Sequence, residues 1–264
     1  MVSEAAVDGY DPNQYTGHGE ACANGIRSSA YTITKLVCAL ASLLLTPALA
    51  ASGPAAGTSL TLPENIDASR PYLFYLHGAW IEEHGLSAAH PDYGRYEYGE
   101  ITRALSDRGF VVISEARLHR VDPAAYAQLV ARQVTALLEK GVPPAHITVI
   151  GHSKGAGMVL LLASMLENPA IQYVVMAGCQ KLGTPARQDY EVFLRTRAPS
   201  LQGRILSLYD RSDQLMATCG EAFARASPAR LESREMVLET GRGHGLFYTP
   251  DPVWIDPIVA WSVR

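Results

Sequence analysis

Apolar residues along this chain gather into short uniform runs separated by stretches of helical period. Tyr72-Leu-Phe-Tyr-Leu76 is apolar at every position and ends in His77-Gly78. Phe110 to Ser114, Ile147 to Ile150, Ile171 to Ala177 and Arg204 to Tyr209 repeat the pattern, and Met236 to Leu238 gives a shorter last run. Runs of this length without polar alternation predict strands buried on both faces. Between them the period changes. Tyr98 to Arg108, closed by Gly109, reads as a helix. From Pro123 to Lys140, Tyr126, Leu129, Val130, Val134, Leu137 and Leu138 fall on one helical face, with Gly141 as the stop signal. Residues 156–166 are apolar nearly all round, which predicts a buried helix. Strands alternating with helices predict one α/β domain, a mostly parallel sheet with helices on both faces. In such sheets functional groups collect at the C-terminal ends of the strands.

The first fifty residues break this pattern. Residues 1–30 are polar and carry no apolar period. Lys35 is then followed by LVCALASLLLTPALA. A positive residue, an apolar core at about 36–46 and Ala48-Leu49-Ala50 match a secretory signal cleaved after Ala50. The run is short for a membrane span and Pro47 interrupts its end; an N-terminal membrane anchor is the alternative. The expected organisation is a leader over 1–50, a linker and N-terminal segment over 51–69, and the α/β domain over 70–264.

Charge adds mainly exclusions. The net charge of −4 over 264 residues, with no Lys/Arg run, gives no electrostatic case for nucleic acid or an anionic membrane surface. Cleavage of the leader removes Cys22 and Cys38 and leaves Cys179 and Cys219, which in an exported protein can form one disulfide. Two separate buried thiols are the alternative. Oligomeric state has no signal in the sequence.

Candidate chemistry centres on Val149-Ile-Gly-His-Ser-Lys-Gly-Ala-Gly157. A P-loop needs Gly-Lys-Ser/Thr in that order, and here Lys154 precedes Gly155. A dinucleotide fingerprint lacks its third glycine, and Lys154 is adjacent to Ser153 where a Ser-x-x-Lys site needs three positions. Gly151-His-Ser153-Lys-Gly155 remains, a G-x-S-x-G string between an apolar strand and an apolar helix. A sharp strand-turn-helix lifts a serine hydroxyl clear of the backbone, and the glycines avoid collision with neighbouring elements. The helix start behind it aims N–H groups at a developing oxyanion.

With these residues the chain resembles the α/β-hydrolase superfamily over about residues 70–264. The resemblance implies the chain order nucleophile, acid, base, and a serine hydrolase of carboxylic esters working through an acyl-enzyme, with no cofactor. Ser153 matches the nucleophile. Leu206-Ser-Leu-Tyr-Asp210-Arg-Ser-Asp213 offers two acids; alignment of its turn favours Asp213, with Asp210, in the place of a turn glycine, as the alternative acid. His244, beyond the elbow, matches the base. His77-Gly78 matches an oxyanion loop, which implies the backbone N–H groups of Ala79 and Lys154 as donors. His77, Trp80 and His152 are candidates for the pocket wall, with a satisfied buried role for His77 as the other reading. No large cap-domain insertion follows the Cys179 strand. The Cys179–Cys219 pair falls near the acid-bearing loop.

Other readings stay open. The same three residues serve a thioesterase, amidase or peptidase, and a non-catalytic binding protein can use the same fold. Ile81-Glu-Glu-His84 and His90-Pro-Asp92 lack metal-ligand spacing, so a solvated loop is expected there and no metal. Trp80, Tyr93, Tyr96 and Tyr98 either line a pocket or cover the sheet edge. The expected partner is a small-molecule ester, with no membrane span after cleavage.

Overall fold

In a computed structural model of the chain, residues 60–262 are described; the expected leader over 1–50, its cleavage point and the linker up to residue 59 lie outside them. The described chain opens with β1 (Tyr72–Leu76), α1 (Ala79–His84), β2 (Ala89–His90), β3 (Gly94–Arg95), α2 (Tyr98–Asp107) and β4 (Val111–Ser114). It continues through α3 (Pro123–Glu139), β5 (Ile147–His152), α4 (Lys154–Ala163), β6 (Gln172–Met176), β7 (Cys179–Gln180) and α5 (Arg187–Thr196). It closes with β8 (Gly203–Asp210), β9 (Met216–Ala217), α6 (Gly220–Phe223), β10 (Leu231–Leu238) and α7 (Pro252–Ser262).

Six strands form one sheet in the order β10-β8-β6-β5-β1-β4, and every pairing in it is parallel. The uniform apolar runs explain this: β1, β5 and β6 are buried at every residue. One hydrophobic cluster forms against α3 and α4, with Val130, Val134 and Leu160 among its members. A second forms on the other face against α2 and α7, with Ile101, Leu105, Trp254 and Ile258. The chain runs from β1 outward to β4, then returns to β5 on the opposite side of β1. The C-terminal ends of β1 and β5 therefore flank the point where strand order reverses, the favoured position for a site in a parallel sheet.

Several details differ from the sequence expectation. The last strand is Leu231–Leu238 rather than Met236–Leu238. Its first half reads as polar because it lies at the sheet edge, where Glu232 pairs with Arg204 of β8 across 2.9 Å. Packed residues begin before the expected domain start at residue 70: Leu60 is buried in the first cluster, with Leu62, Ile66 and Ala68 against it. The stretch at Ile81–His84, expected as a solvated loop, is helix α1, and Glu82 in it is buried. No apolar run foretold α5, which buries only Tyr190 and Leu194. α7 carries Pro257 inside it, which removes one helix donor and masks its period. Cys179 and Cys219 are joined by a disulfide with Cα atoms 5.2 Å apart. It closes a loop of 40 residues, for which chain-entropy arguments give about 4 kcal/mol. It also ties β7 to the segment following β9.

The elbow between β5 and α4 depends on two glycines. Ser153 has φ 55° and ψ −116°, in the left-handed half of conformational space where a side chain is strained. A Cβ on Gly155 would lie 2.0 Å from the Leu76 carbonyl oxygen at the end of β1. One on Gly151 would lie 2.4 Å from the Gly155 carbonyl oxygen. Gly157 is different, because a Cβ there meets nothing within 4 Å. Two glycines two residues apart are thus predicted to respond oppositely to alanine. Gly155→Ala is expected to destabilise by about 3 kcal/mol or more, since the obstacle is backbone that cannot rotate away. Gly157→Ala, in an open helix position, is expected to stabilise by about 0.5–1 kcal/mol. Urea unfolding midpoints of the two variants check both.

Candidate active site

Three residues from the ends of three different strands meet in the structure. Ser153 follows β5, Asp213 follows β8, and His244 lies in a short 3-10 turn (Gly243–Tyr248) after β10. His244 Nε2 is 2.9 Å from Ser153 Oγ. The other ring nitrogen, Nδ1, is 2.8 Å from Asp213 Oδ2. Asp213 is fully buried, and its second oxygen accepts from the Leu215 and Met216 N–H groups at 2.8 and 3.1 Å. Lys181 Nζ donates to its backbone carbonyl. A carboxylate so held has one free edge, and that edge faces the imidazole. The elbow itself is tied to the sheet by the Ser153 N–H, which donates to the Met176 carbonyl at 2.9 Å.

Asp210, the other acid in the same segment, sits elsewhere. Its carboxylate accepts from the Ser212 N–H and hydroxyl at 2.9 and 2.5 Å. Its second oxygen takes the Thr240 N–H and hydroxyl at 2.9 and 2.6 Å. Asp210 therefore clamps the turn after β8 to the end of β10. Burial pushes its carboxyl up, but the hydrogen bonds from Ser212 and Thr240 outweigh burial and bring it down to about 2.

The His77-Gly78 turn comes beside the elbow because β1 and β5 are paired, with Leu76 opposite Gly151. A Cβ on Gly78 would lie 3.4 Å from the Ser153 Cβ. Ala79 and Lys154 are the first residues of α1 and α4, where N–H groups lack intrahelical acceptors. Beneath this turn a buried ionic group links four segments. Arg117 Nε donates to Glu82 Oε1 at 2.8 Å, and Lys154 Nζ to Glu82 Oε2 at 2.5 Å. Lys154 Nζ also donates to the Val121 carbonyl at 2.9 Å, while Arg117 Nη2 donates to the His77 carbonyl. The Arg117 N–H donates to His77 Nε2 at 2.8 Å. None of the positioning by Glu82 and Arg117 was visible in the sequence, since the partners are 35 residues apart and nothing local marks them.

His77 and His152, candidates for a pocket wall, are fully enclosed instead. His77 is tied to Arg117, and burial, helped by the Arg117 charge, pushes its imidazole down to about 3. His152 packs its ring 4.7 Å from that of His244, with Nδ1 3.2 Å from the Tyr96 hydroxyl; burial and the neighbouring His244 hold it well below the usual histidine range. Trp80 is half-buried, stacked 3.7 Å on His84, and its indole N–H donates to the Ala88 carbonyl at 3.1 Å. Of the aromatic loop, Tyr96 and Tyr98 are buried, while Tyr93 lines a cavity of about 440 Å³ together with His244. A second cavity, about 480 Å³, has Ser153 and Lys154 in its lining. Among the described residues no three His, Cys, Asp or Glu side chains gather as a metal site requires.

The buried neutral histidines set an expectation for stability against pH. His77 stays neutral down to about 3 in the fold but takes up a proton near 6.5 when unfolded. Between those values the unfolded chain binds more protons, so stability falls as pH falls. From pH 7 to 5 the loss from His77 is roughly 2 kcal/mol, above the range where carboxylates titrate, and His152, also held low by burial, acts in the same direction. Urea midpoints at pH 7 and pH 5 measure it, and equal midpoints contradict it.

No family model and no curated protein matches the chain. Solved structures do resemble it in fold. A puromycin hydrolase aligns with TM-score 0.50 and 18% identity, over 73% of this chain and 33% of its own. A lipase-esterase related protein from Clostridium acetobutylicum aligns with TM-score 0.49 and 15% identity, over 74% of this chain and 96% of its own. For a 2,6-dihydroxy-pseudo-oxynicotine hydrolase the values are 0.47 and 16%, over 76% and 63%. The chain thus spans a third of the first of these proteins, less than two thirds of the third, and nearly all of the second. Its parallel six-stranded sheet, the helices on both faces and the strand-elbow-helix at Ser153 give this chain the α/β-hydrolase fold.

Proposed function

We propose that the chain is an exported serine hydrolase of carboxylic esters. The observation that carries this is the hydrogen-bonded line from Asp213 through His244 to Ser153. A serine hydroxyl is a weak nucleophile until a base within hydrogen-bond reach removes its proton. His244 is that base: as Ser153 Oγ bonds to the acyl carbon, Nε2 takes the hydroxyl proton and then passes it to the departing alkoxide. Asp213 keeps the Nδ1 proton in place, so Nε2 is the nitrogen with the free lone pair, and balances the imidazolium that forms. The Ala79 and Lys154 N–H groups receive the oxyanion. Water, activated by the same histidine, then releases the acid and restores Ser153. Apart from the ester and the water, every group in this cycle belongs to the chain.

The ionic group below the site supports the same reading. Lys154 and the His77-Gly78 turn carry the two oxyanion donors, and Glu82 and Arg117 tie both segments to one buried anchor. Oxyanion donors act only when fixed in advance of the reaction. Export accords with the apolar stretch before Ala50 and with the Cys179–Cys219 disulfide, a bond that persists in oxidising compartments. Among the described residues no helix is long and apolar enough to cross a membrane.

Turnover of p-nitrophenyl acetate tests the proposal. Ser153→Ala is expected to lower kcat by about 10⁴-fold or more, with the urea midpoint kept near that of the unsubstituted protein. A variant that retains activity within tenfold overturns the mechanism.

A further inference from the structure

The two cavities beside the candidate site differ in which member they include. One contains Ser153 but not His244, and the other contains His244 but not Ser153. Their chemistry differs too. On the Ser153 side the apolar part of the wall includes Ala124 of α3, Gly157, Leu160 and Leu161 of α4, and Tyr190 and Phe193 of α5. On the His244 side it includes Asp92, Ser212, Gln214 and Arg242, with Tyr93 as the aromatic member.

The proton path decides which part of an ester each cavity receives. His244 hands its proton to the leaving oxygen, so that oxygen must come within hydrogen-bond reach of Nε2. The alcohol therefore departs on the histidine side, and the acyl group extends away from it. We propose, resting on the reading of Ser153 as nucleophile, that the Ser153-side cavity is the acyl site. Its ligand is an uncharged aliphatic acyl chain of medium length, esterified to a polar alcohol that occupies the His244 side. A volume of about 480 Å³ is in the range of a small-molecule site. Two carboxylates in the lining, Asp122 and Asp189, oppose an acyl chain with an anionic end, while Lys154 of the same lining already has its charge paired with Glu82. Asp122 is already engaged in capping α3 through the Ala125 N–H at 2.7 Å.

Gly157 makes the proposal testable, because it lines this cavity and a side chain there meets open space rather than the fold. The experiment measures kcat/KM for p-nitrophenyl acetate, butyrate and hexanoate, with Gly157→Leu beside the unsubstituted protein and urea midpoints to verify folding. For the unsubstituted protein kcat/KM is expected to rise roughly up to fourfold per methylene until the cavity is full. Gly157→Leu is expected to lower the hexanoate-to-acetate ratio by at least about tenfold. Should Gly157→Leu fold poorly, Ala124→Phe narrows the same cavity from an exposed position on α3. An unchanged ratio in a folded variant overturns the inference. So does a shift that appears instead between ethyl and hexyl acetate, because the cavity would then hold the alcohol. Both results leave the nucleophile reading standing so long as a fluorophosphonate still modifies Ser153. Loss of that modification together with all ester turnover removes the nucleophile reading and the acyl site with it.

Discussion

The structure around the site depends on one close approach: the backbone of α4 against the end of β1. Gly155 comes so near the Leu76 carbonyl that no side chain fits, and Gly151 leaves equally little room below it. This contact makes the chain reverse direction within a residue or two. It forces Ser153 to φ 55°, a conformation held only where surrounding structure leaves no alternative. The strain has a consequence, because it projects the hydroxyl beyond the strand ends instead of into the sheet. From that position an acid that follows β8, one strand removed from β5, and a histidine that follows β10, two strands removed, can reach it.

The same approach brings the His77-Gly78 turn alongside Ser153. Neighbouring strands alone would leave that turn free to move, since it is a loop end. Glu82 holds it by binding Arg117 and Lys154 at once, and the side chains of Glu82 and Arg117 are essentially without solvent contact. Burying such charges is expensive unless all are paired, and a buried pair is weak evidence for stability. Its use here is geometric: one carboxylate fixes the start of α4 and the loop around Arg117 to the same point. The disulfide has a parallel effect on the far side, tethering β7 beside the turn that carries Asp213.

Much of this was legible because it is local. The elbow is a string of five residues between two apolar runs, and the strand at 204–209 put Asp213 at the right end of the sheet. His244 was pointed to by the chain order that the α/β-hydrolase resemblance implies, together with its place beyond the elbow. What stayed hidden was non-local or depended on exposure. Glu82 looked like a solvated loop residue because its partners lie 35 and 72 residues away. The start of β10 looked like loop because edge strands show charge to solvent. α5 is thinly apolar and α7 contains a proline, so neither carried a clean period. The enclosure of His77 and His152 is likewise set by tertiary packing against Arg117, Tyr96 and Phe247, which no spacing in the chain records.

The α/β-hydrolase fold hosts enzymes and binding proteins alike, so activation of Ser153 is the point on which the account stands. A fluorophosphonate reacts with a serine whose proton is being withdrawn and ignores ordinary surface hydroxyls. Peptide mass mapping after exposure is expected to find a single adduct, on Ser153, and to find it lost in His244→Ala. Absence of an adduct on Ser153 in the folded protein, or an undiminished adduct when His244 is replaced, contradicts the account.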